Sequence, residues 1–191
     1  MSKIEAFRKE LNLINDPAIR TFTVNMLEKL PDYFFTTGAS STGKYHPKFA
    51  AGEGGLVRHT RAAVRIAHEM LRNDMFKAFQ NQADEIYSAL ILHDGAKHGL
   101  EGSKYTVTKH PLIVCDLIKE EATDNENGTP EFVEKVCGLI ASHMGQWNYD
   151  YKTKVAVLPK PENKLQNFVH LCDYLASRSC IGHDFDADLS S

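Results

Sequence analysis

An apolar segment in the middle of the chain ends in two polar residues, and this junction constrains the fold more than any other feature. Residues 86–92 (Ile-Tyr-Ser-Ala-Leu-Ile-Leu) are rich in strong helix formers and predict a buried helix that continues into His93-Asp94. A buried carboxylate without a partner is costly, so a salt bridge, a hydrogen-bond network or a metal ion must accompany it. A metal ion is the sharpest of these three hypotheses.

Helical periodicity covers most of the sequence and predicts an all-α bundle of about six to eight helices. Asp16-Pro17 and Thr129-Pro130 each pair an N-cap residue with proline at the first helical position, and His110 before Pro111 is predicted as a third cap. Residues 148–160 are ambiguous, because the alternation within them also suits a short hairpin. The predicted helices cover residues 3–14, 16–30, 55–70, 83–98, 129–143 and 163–178, together with one that begins at residue 110.

Size and composition favour one compact domain. The chain has 191 residues, 42% of them hydrophobic, and no Pro/Gly/Ser-rich linker. We expect a single domain over residues 1–191, with its core at 11–178 and a loosely ordered tail at 182–191. The absence of a run of about 18 apolar residues and of a signal-peptide pattern predicts a cytoplasmic protein that does not bind a membrane. The sequence leaves a homo-oligomer open.

Further imidazoles and carboxylates are placed to join His93-Asp94 in the core. His59 lies within the apolar face of the third predicted helix, and Lys97 shares a helical face with His93-Asp94 at about 100° per residue. Four such ligands could hold one divalent ion, whereas six with a shared carboxylate favour two. The candidate ligands are His59, His93, Asp94, His110, His143 and Asp173, and the candidate ions are Fe, Mn, Co, Ni, Zn and Mg.

The other histidines and the cysteines are assigned no chemistry. Nine histidines in one chain make some purely structural ones certain. The four cysteines are scattered without a CxxC pair, which predicts reduced core thiols rather than a zinc site. The histidines predicted to be structural or on the surface are His46, His68, His98, His170 and His183.

Several segments of the sequence resemble the HD-domain superfamily of metal-dependent phosphohydrolases, named for the motif seen here as His93-Asp94. Within it the chain is most similar to the HD part of bacterial 3′→5′ exoribonucleases that join an OB-fold to an HD domain, although these residues contain no OB-fold. The resemblance implies a single HD-domain helical bundle. The segments that carry it are residues 54–60, 90–97, 105–111, 140–143 and 171–178.

The resemblance also implies how the ligands are divided. The chain departs from the common HDIGK motif by Gly95-Ala96, which leaves Lys97 in place. It lacks the paired histidine and the GYP motif of cyclic-dinucleotide phosphodiesterases, which disfavours that substrate class. The first implied metal is bound by His59, His93, Asp94 and Asp173, and the second, bridged by Asp94, is bound by His110 and His143.

The leading prediction is hydrolysis of a phosphate ester or anhydride of a nucleotide or short single-stranded oligonucleotide by a metal-activated hydroxide. Asp94 and Lys97 are the predicted catalytic residues, the lysine as a point charge for the phosphate, and the proton donor is left open between His110 and a water. The net charge of −3 disfavours a protein that mainly binds duplex nucleic acid. Packing over the core is favoured over nucleobase stacking for three aromatic residues, Trp147, Tyr149 and Tyr151.

Two other functions fit the same sequence. A diiron oxygenase could use the same ligand set, but Lys97 and the closer resemblance to nucleases argue against it. A non-catalytic HD module for binding or regulation is the third hypothesis, and the presence of all six candidate ligands argues against it.

Overall fold

The computed structural model describes residues 2–40, 46–182 and 185 of the chain. Within them are eight α-helices and no strand, which confirms the predicted all-α class. The same residues include 3₁₀ helices at Glu5–Phe7, Lys48–Ala50, Asp74–Gln82 and Gly145–Trp147. The α-helices are α1 (Arg8–Leu11), α2 (Pro17–Lys29), α3 (Tyr33–Thr36), α4 (Gly55–Leu71), α5 (Ala83–Leu92), α6 (His110–Asp124), α7 (Pro130–Ala141) and α8 (Lys164–Ala176).

Helix starts follow the capping residues of the sequence, with one exception. The side chains of Asp16 and Thr129 accept hydrogen bonds from backbone N–H groups in the first turns of α2 and α7, and proline follows each of them. His110, predicted as a cap, is instead the first residue of α6. Its ring N–H donates back to the carbonyl of Val107, so this side chain caps nothing.

α5 lies at the centre of the bundle. All seven residues of the segment 86–92 are buried, as expected, and α5 packs against α2, α4 and α7. α8 packs against α4 and α7, and α6 packs against α7. The helices that carry or precede the candidate ligands are therefore connected around α5.

α5 ends at Leu92, well before the predicted end at residue 98. After it, backbone N–H groups bond to carbonyls three residues back, from Gly95 to Leu92 over 2.9 Å and from Lys97 to Asp94 over 3.0 Å. Gly95 permits this tight path along α2, because a Cβ there would lie 2.6 Å from a methyl carbon of Leu30. The predicted helical face shared by His93, Asp94 and Lys97 is therefore wrong, and a turn brings Lys97 beside Asp94.

The ambiguous segment forms a hairpin without a strand. One isolated antiparallel bridge joins Tyr149 to Ala156. The Asn148 side chain, which is buried, donates to the carbonyl of Leu158 over 2.8 Å and closes the base of the hairpin. One isolated bridge does not make a β-strand. The segment is therefore a hairpin, as one of the two expectations had it, and contains no regular strand.

Two expectations from the sequence concern the chain ends and membranes. Apart from residues 182 and 185, the predicted tail at 182–191 lies outside the described residues, as does His183. In the described part of the chain, none of the helices combines the length and the hydropathy that crossing a bilayer requires. The single domain over residues 1–191 stays a prediction.

Candidate metal centre

Five parts of the fold bring the six candidate ligands together. The structure places His59 on α4, His93-Asp94 in the turn after α5, His110 at the start of α6, His143 just after α7 and Asp173 on α8. All of them are buried except Asp173, whose side chain is 18% exposed. Potential ligand atoms lie within 4.8 Å of one another in three overlapping groups: His59, His93 and Asp94; His93, His143 and Asp173; Asp94, His110 and His143.

The two carboxylate oxygens of Asp94 face different imidazoles. Oδ2 lies 3.5 Å from the Nε2 atoms of both His59 and His93. Oδ1 lies 3.1 Å from Nε2 of His110 and 3.9 Å from Nε2 of His143. Asp94 therefore joins two groups of imidazoles through one oxygen each, which is the arrangement that a shared carboxylate requires.

Asp173 completes the first of these groups. Its Oδ1 lies 2.9 Å from Nε2 of His59 and 3.4 Å from Nε2 of His93. Four side chains thus surround one small volume, with two nitrogens and two carboxylates facing it.

Three of the imidazoles are oriented by their own backbones. The Nδ1 atoms of His93, His110 and His143 lie 2.7–2.8 Å from the carbonyl oxygens of the residues three positions earlier. For His93 and His143 these are carbonyls at the ends of α5 and α7, where helices leave acceptors unsatisfied. A carbonyl only accepts, so each Nδ1 carries the proton and each Nε2 presents a lone pair to the centre.

The inward nitrogens face carboxylate oxygens without hydrogen bonds of good geometry. Within the described residues this holds for the buried Nε2 atoms of His59, His93 and His110, which lie 2.9–3.4 Å from Asp94 or Asp173, and the buried Nδ1 of His59 has no hydrogen-bond partner. An unsatisfied buried polar atom costs about 1–3 kcal/mol, so a cluster of them is unusual. Divalent metal ions fit these atoms, because imidazole nitrogens and carboxylate oxygens are their ordinary ligands.

The charges of the cluster also favour a cation. Burial by itself would raise the pKa of Asp94, but Lys97, His93 and His110 outweigh it and hold that pKa well below its usual range. The pKa of Asp173 is likewise held low, against burial, by His59 and His93. Burial lowers the pKa of His143 to about 3, so its imidazole is neutral at pH 7. At neutral pH both carboxylates are therefore ionised and His143 is a neutral nitrogen ligand, whereas Asp94 and Asp173 raise the pKa of His93 against its burial.

Comparison with protein families matches the HD-domain model to residues 56–178, which is more than half of the chain and includes all six candidate ligands. The chain belongs to the HD-domain family. HD domains bind divalent metals and form a superfamily that consists generally of metal-dependent phosphohydrolases. Comparisons with curated proteins and with solved structures gave no significant match. The finer resemblance to exoribonucleases stays a prediction.

Lys97 of the HD domain contacts the cluster directly. Its Nζ donates to Asp94 Oδ2 over 2.7 Å, and its side chain is 12% exposed. It also lines a cavity of about 630 Å³ that reaches Asp94, His110 and Asp173. Lys97 therefore stands between the candidate ligands and the space open to a substrate.

His46 was expected to be structural or on the surface, and the structure places it at the site. It lines the same cavity, and its ring packs edge-on against His59 with centroids 4.9 Å apart. Burial lowers its pKa to about 3, and its Nδ1 has no hydrogen-bond partner within the described residues. No sequence signal indicated this position, because His46 lies in an irregular segment where periodicity gives no orientation.

His170 was also expected to have no role at the site, yet it supports a candidate ligand from outside. Its Nδ1 donates to the backbone carbonyl of His143 over 2.6 Å. The close approach depends on Gly145, which has φ +55° and whose missing Cβ leaves room for the His170 ring. By contrast, His68 bonds to Tyr87 and His98 stacks on Tyr33, as structural histidines do.

Aromatic side chains form the other side of the cavity. Trp147, Tyr149, Tyr151 and Tyr174 all line it, together with Arg178. Packing over the core does not describe Tyr151, which is 78% exposed, whereas Trp147, which is 36% exposed, packs on Tyr174 and also lines the cavity. The cavity thus has a polar end at the candidate ligands and an aromatic end at these residues.

Proposed function

We propose that this HD domain is a metal-dependent phosphohydrolase that cleaves a phosphate ester or anhydride of a nucleotide or short oligonucleotide. The observation that carries the proposal is the division of the Asp94 oxygens between two pairs of imidazoles whose Nε2 atoms face inward. The family supports the same reaction class, because HD domains are generally metal-dependent phosphohydrolases.

Two groups of residues would hold the ions. One consists of His59, His93, Asp94 and Asp173, and the other consists of Asp94, His110 and His143. Bound divalent ions would supply a water nucleophile at neutral pH and neutralise charge that develops on the phosphoryl oxygens.

The chain's own residues set up the rest of the reaction. Asp94 holds both groups at a fixed separation because each of its oxygens serves one of them. The three backbone carbonyls that accept from Nδ1 keep the imidazoles in the ligand tautomer. Lys97 lines the cavity beside Asp94, where its ammonium binds a phosphate oxygen as a point charge.

The test is metal analysis of the purified protein together with a phosphate-release screen over nucleotides, dinucleotides and short RNAs. Asp94→Asn is expected to lose bound metal and hydrolysis together, since both groups share this carboxylate. Asp116→Asn, which changes an exposed carboxylate on α6, is the matched control and is expected to behave as the wild type. Full hydrolysis by Asp94→Asn contradicts the proposal.

Two results would replace the proposed function with one of the alternatives. Oxygen uptake by an iron-loaded protein that releases no phosphate from any substrate would assign a diiron oxygenase. Absence of bound metal, with no rise in melting temperature on adding Mn, Fe, Co or Ni, would assign a non-catalytic module.

A further inference from the structure

The aromatic residues that line the cavity are close in sequence to two of the candidate metal ligands. Trp147 follows His143 by one turn of 3₁₀ helix, and Tyr174 is the residue after Asp173. Both Trp147 and Tyr174 line the cavity that Asp94 and Asp173 also line, so one small molecule can contact its aromatic and polar ends together. The cavity of about 630 Å³ lies within the range of roughly 300–1,000 Å³ that holds small ligands.

The aromatic side chains are held in place although they face the cavity. The rings of Trp147 and Tyr174 are stacked, with centroids 5.8 Å apart and 13° between their planes. The guanidinium carbon of Arg178 lies 4.3 Å from the centroid of the Tyr174 ring. Tyr174 therefore packs against the indole, and Trp147 remains partly exposed where it lines the cavity.

Tyr151 lies in a turn that side-chain hydrogen bonds hold together. Asp150 Oδ1 accepts hydrogen bonds from the backbone N–H groups of Lys152 and Thr153, and the buried Asn148 closes the base of the hairpin. The Lys154 ammonium lies 4.0 Å from the centroid of the Tyr151 ring. Tyr151 thus extends from a hydrogen-bonded turn as a mostly exposed aromatic ring that lines the cavity, where it can contact a ligand.

We propose that the aromatic end is a nucleobase subsite, in which the base stacks on Trp147 and Tyr151 while the phosphate lies at the His/Asp cluster. The proposal rests on the proposed function and names its substrate class as a mononucleotide. Every nucleobase has a flat π-face that suits such rings. The net charge of −3 disfavours a long nucleic acid as the occupant, because that would need a basic groove along the backbone.

The first test measures binding without catalysis. Trp147 is the single tryptophan of the chain, so its fluorescence reports on this subsite alone. The full chain is titrated with adenosine, which has the base but no phosphate to hydrolyse, and with ribose 5-phosphate, which lacks the base; free N-acetyltryptophanamide corrects for light absorbed by the base. Saturable quenching is expected with adenosine and not with ribose 5-phosphate. No saturable quenching by adenosine, guanosine, cytidine or uridine overturns the proposal.

Variants then locate the stacking. Tyr151→Ala keeps the tryptophan signal and is expected to raise the Kd for adenosine about 5- to 150-fold, the effect of losing one base–aromatic stack. Trp147→Ala is followed by calorimetry and is expected to show a similar loss, whereas Trp147→Phe retains most of the affinity. Met75→Ala changes an exposed side chain outside the cavity and is the control. An unchanged Kd in both Tyr151→Ala and Trp147→Ala contradicts the proposal.

Activity separates this proposal from the function on which it rests. In Tyr151→Ala, the ratio of kcat/KM for adenosine 5′-monophosphate to kcat/KM for ribose 5-phosphate is expected to fall by the same 5- to 150-fold or so. Base-dependent quenching without any phosphate release leaves the subsite standing and contradicts hydrolysis. Phosphate release that is equally efficient with and without a base contradicts the subsite alone.

Discussion

The Lys97 ammonium lies 2.7 Å from Asp94 Oδ2, the same carboxylate oxygen that faces His59 and His93. The partner oxygen, Oδ1, has no lysine beside it within the described residues and faces His110. Lys97 therefore acts on the two imidazole groups unequally. Because it also lines the cavity, it links the first group to the space that a substrate would fill.

Replacing Lys97 tests this link. Lys97→Met keeps the length of the side chain and removes its charge, and we expect kcat for phosphate release to fall about 10²–10³-fold, as when one preorganised electrostatic donor is lost. Metal content should persist, since all six candidate ligands remain. Lys119→Met removes an exposed lysine of α6 and serves as the control. A wild-type kcat in Lys97→Met would show that the ammonium does not touch the reacting phosphate.

The number of ions can be tested through the second imidazole group. His110→Asn removes one of its three ligand side chains and leaves His59, His93 and Asp173 in place, so we expect bound metal to fall from two ions per chain to one. His68→Asn, which changes a histidine of α4 outside the candidate ligands, should retain two. The measurement is elemental analysis after dialysis against trace metal. One ion per chain in the wild type would contradict the dinuclear prediction.

Gly145→Ala, a substitution two residues after the candidate ligand His143, is expected to destabilise the fold. The new Cβ would collide with the His170 ring, and φ of +55° is strained for any residue with a Cβ. We expect a loss of about 2–4 kcal/mol in the free energy of unfolding, from overpacking and backbone strain together.

Gly52→Ala is the matched control for that variant. Gly52 has φ +68° but open space around it, so backbone strain alone applies and the loss should be about 1–2 kcal/mol. Denaturant unfolding of both variants gives the comparison. Equal losses would mean that the contact between Gly145 and His170 contributes nothing.

Tyr87 predicts a dependence of stability on alkaline pH. Its hydroxyl bonds to His68 and so joins α5 to α4, and burial raises its pKa from 10.0 to about 12. The folded state therefore keeps the proton that the unfolded chain loses above pH 10. This stability is fully present below pH 10 and is lost as the pH rises to 12, by at most about 1 kcal/mol per pH unit.

The comparison with Tyr87→Phe isolates this effect from other groups that titrate in the same range. The variant lacks the phenol, so its free energy of unfolding should decline less between pH 10 and 12. Unfolding of both proteins in urea across this range is the measurement. Parallel pH profiles would contradict the assignment.

The pattern of apolar residues and their helical periodicity were enough to predict the all-α fold and part of the candidate site. An apolar helical segment that ends in Asp94, and a histidine inside the apolar face of α4, require polar partners in the core, and the structure brings those side chains together. Their role as metal ligands remains a proposal. The end of α5 could not be predicted, because it depends on the contact of Gly95 with Leu30, which is distant in sequence. The position of His46 depends in the same way on tertiary packing.

The sequence also could not predict that the two carboxylate oxygens of Asp94 face different imidazoles. The resemblance implied a bridging carboxylate, but which oxygen faces which imidazole depends on a side-chain rotamer within a turn. A binding surface formed by Trp147, Tyr149 and Tyr151 was only the less favoured of two expectations. A run of aromatic residues after His143 suits core packing and a binding surface alike, and only the exposure of Trp147 and Tyr151 separates the two.

His59 and Asp173 lie 2.9 Å apart in space, although more than half of the sequence separates them. An ion bound by both side chains would close a very long loop of the chain. Closing this loop costs conformational entropy, and only the packing of α4, α5 and α8 against one another offsets that cost. A partly folded chain would have no complete site to offer. Ion release would therefore coincide with global unfolding, and a metal indicator dye would record the folding transition of the whole bundle.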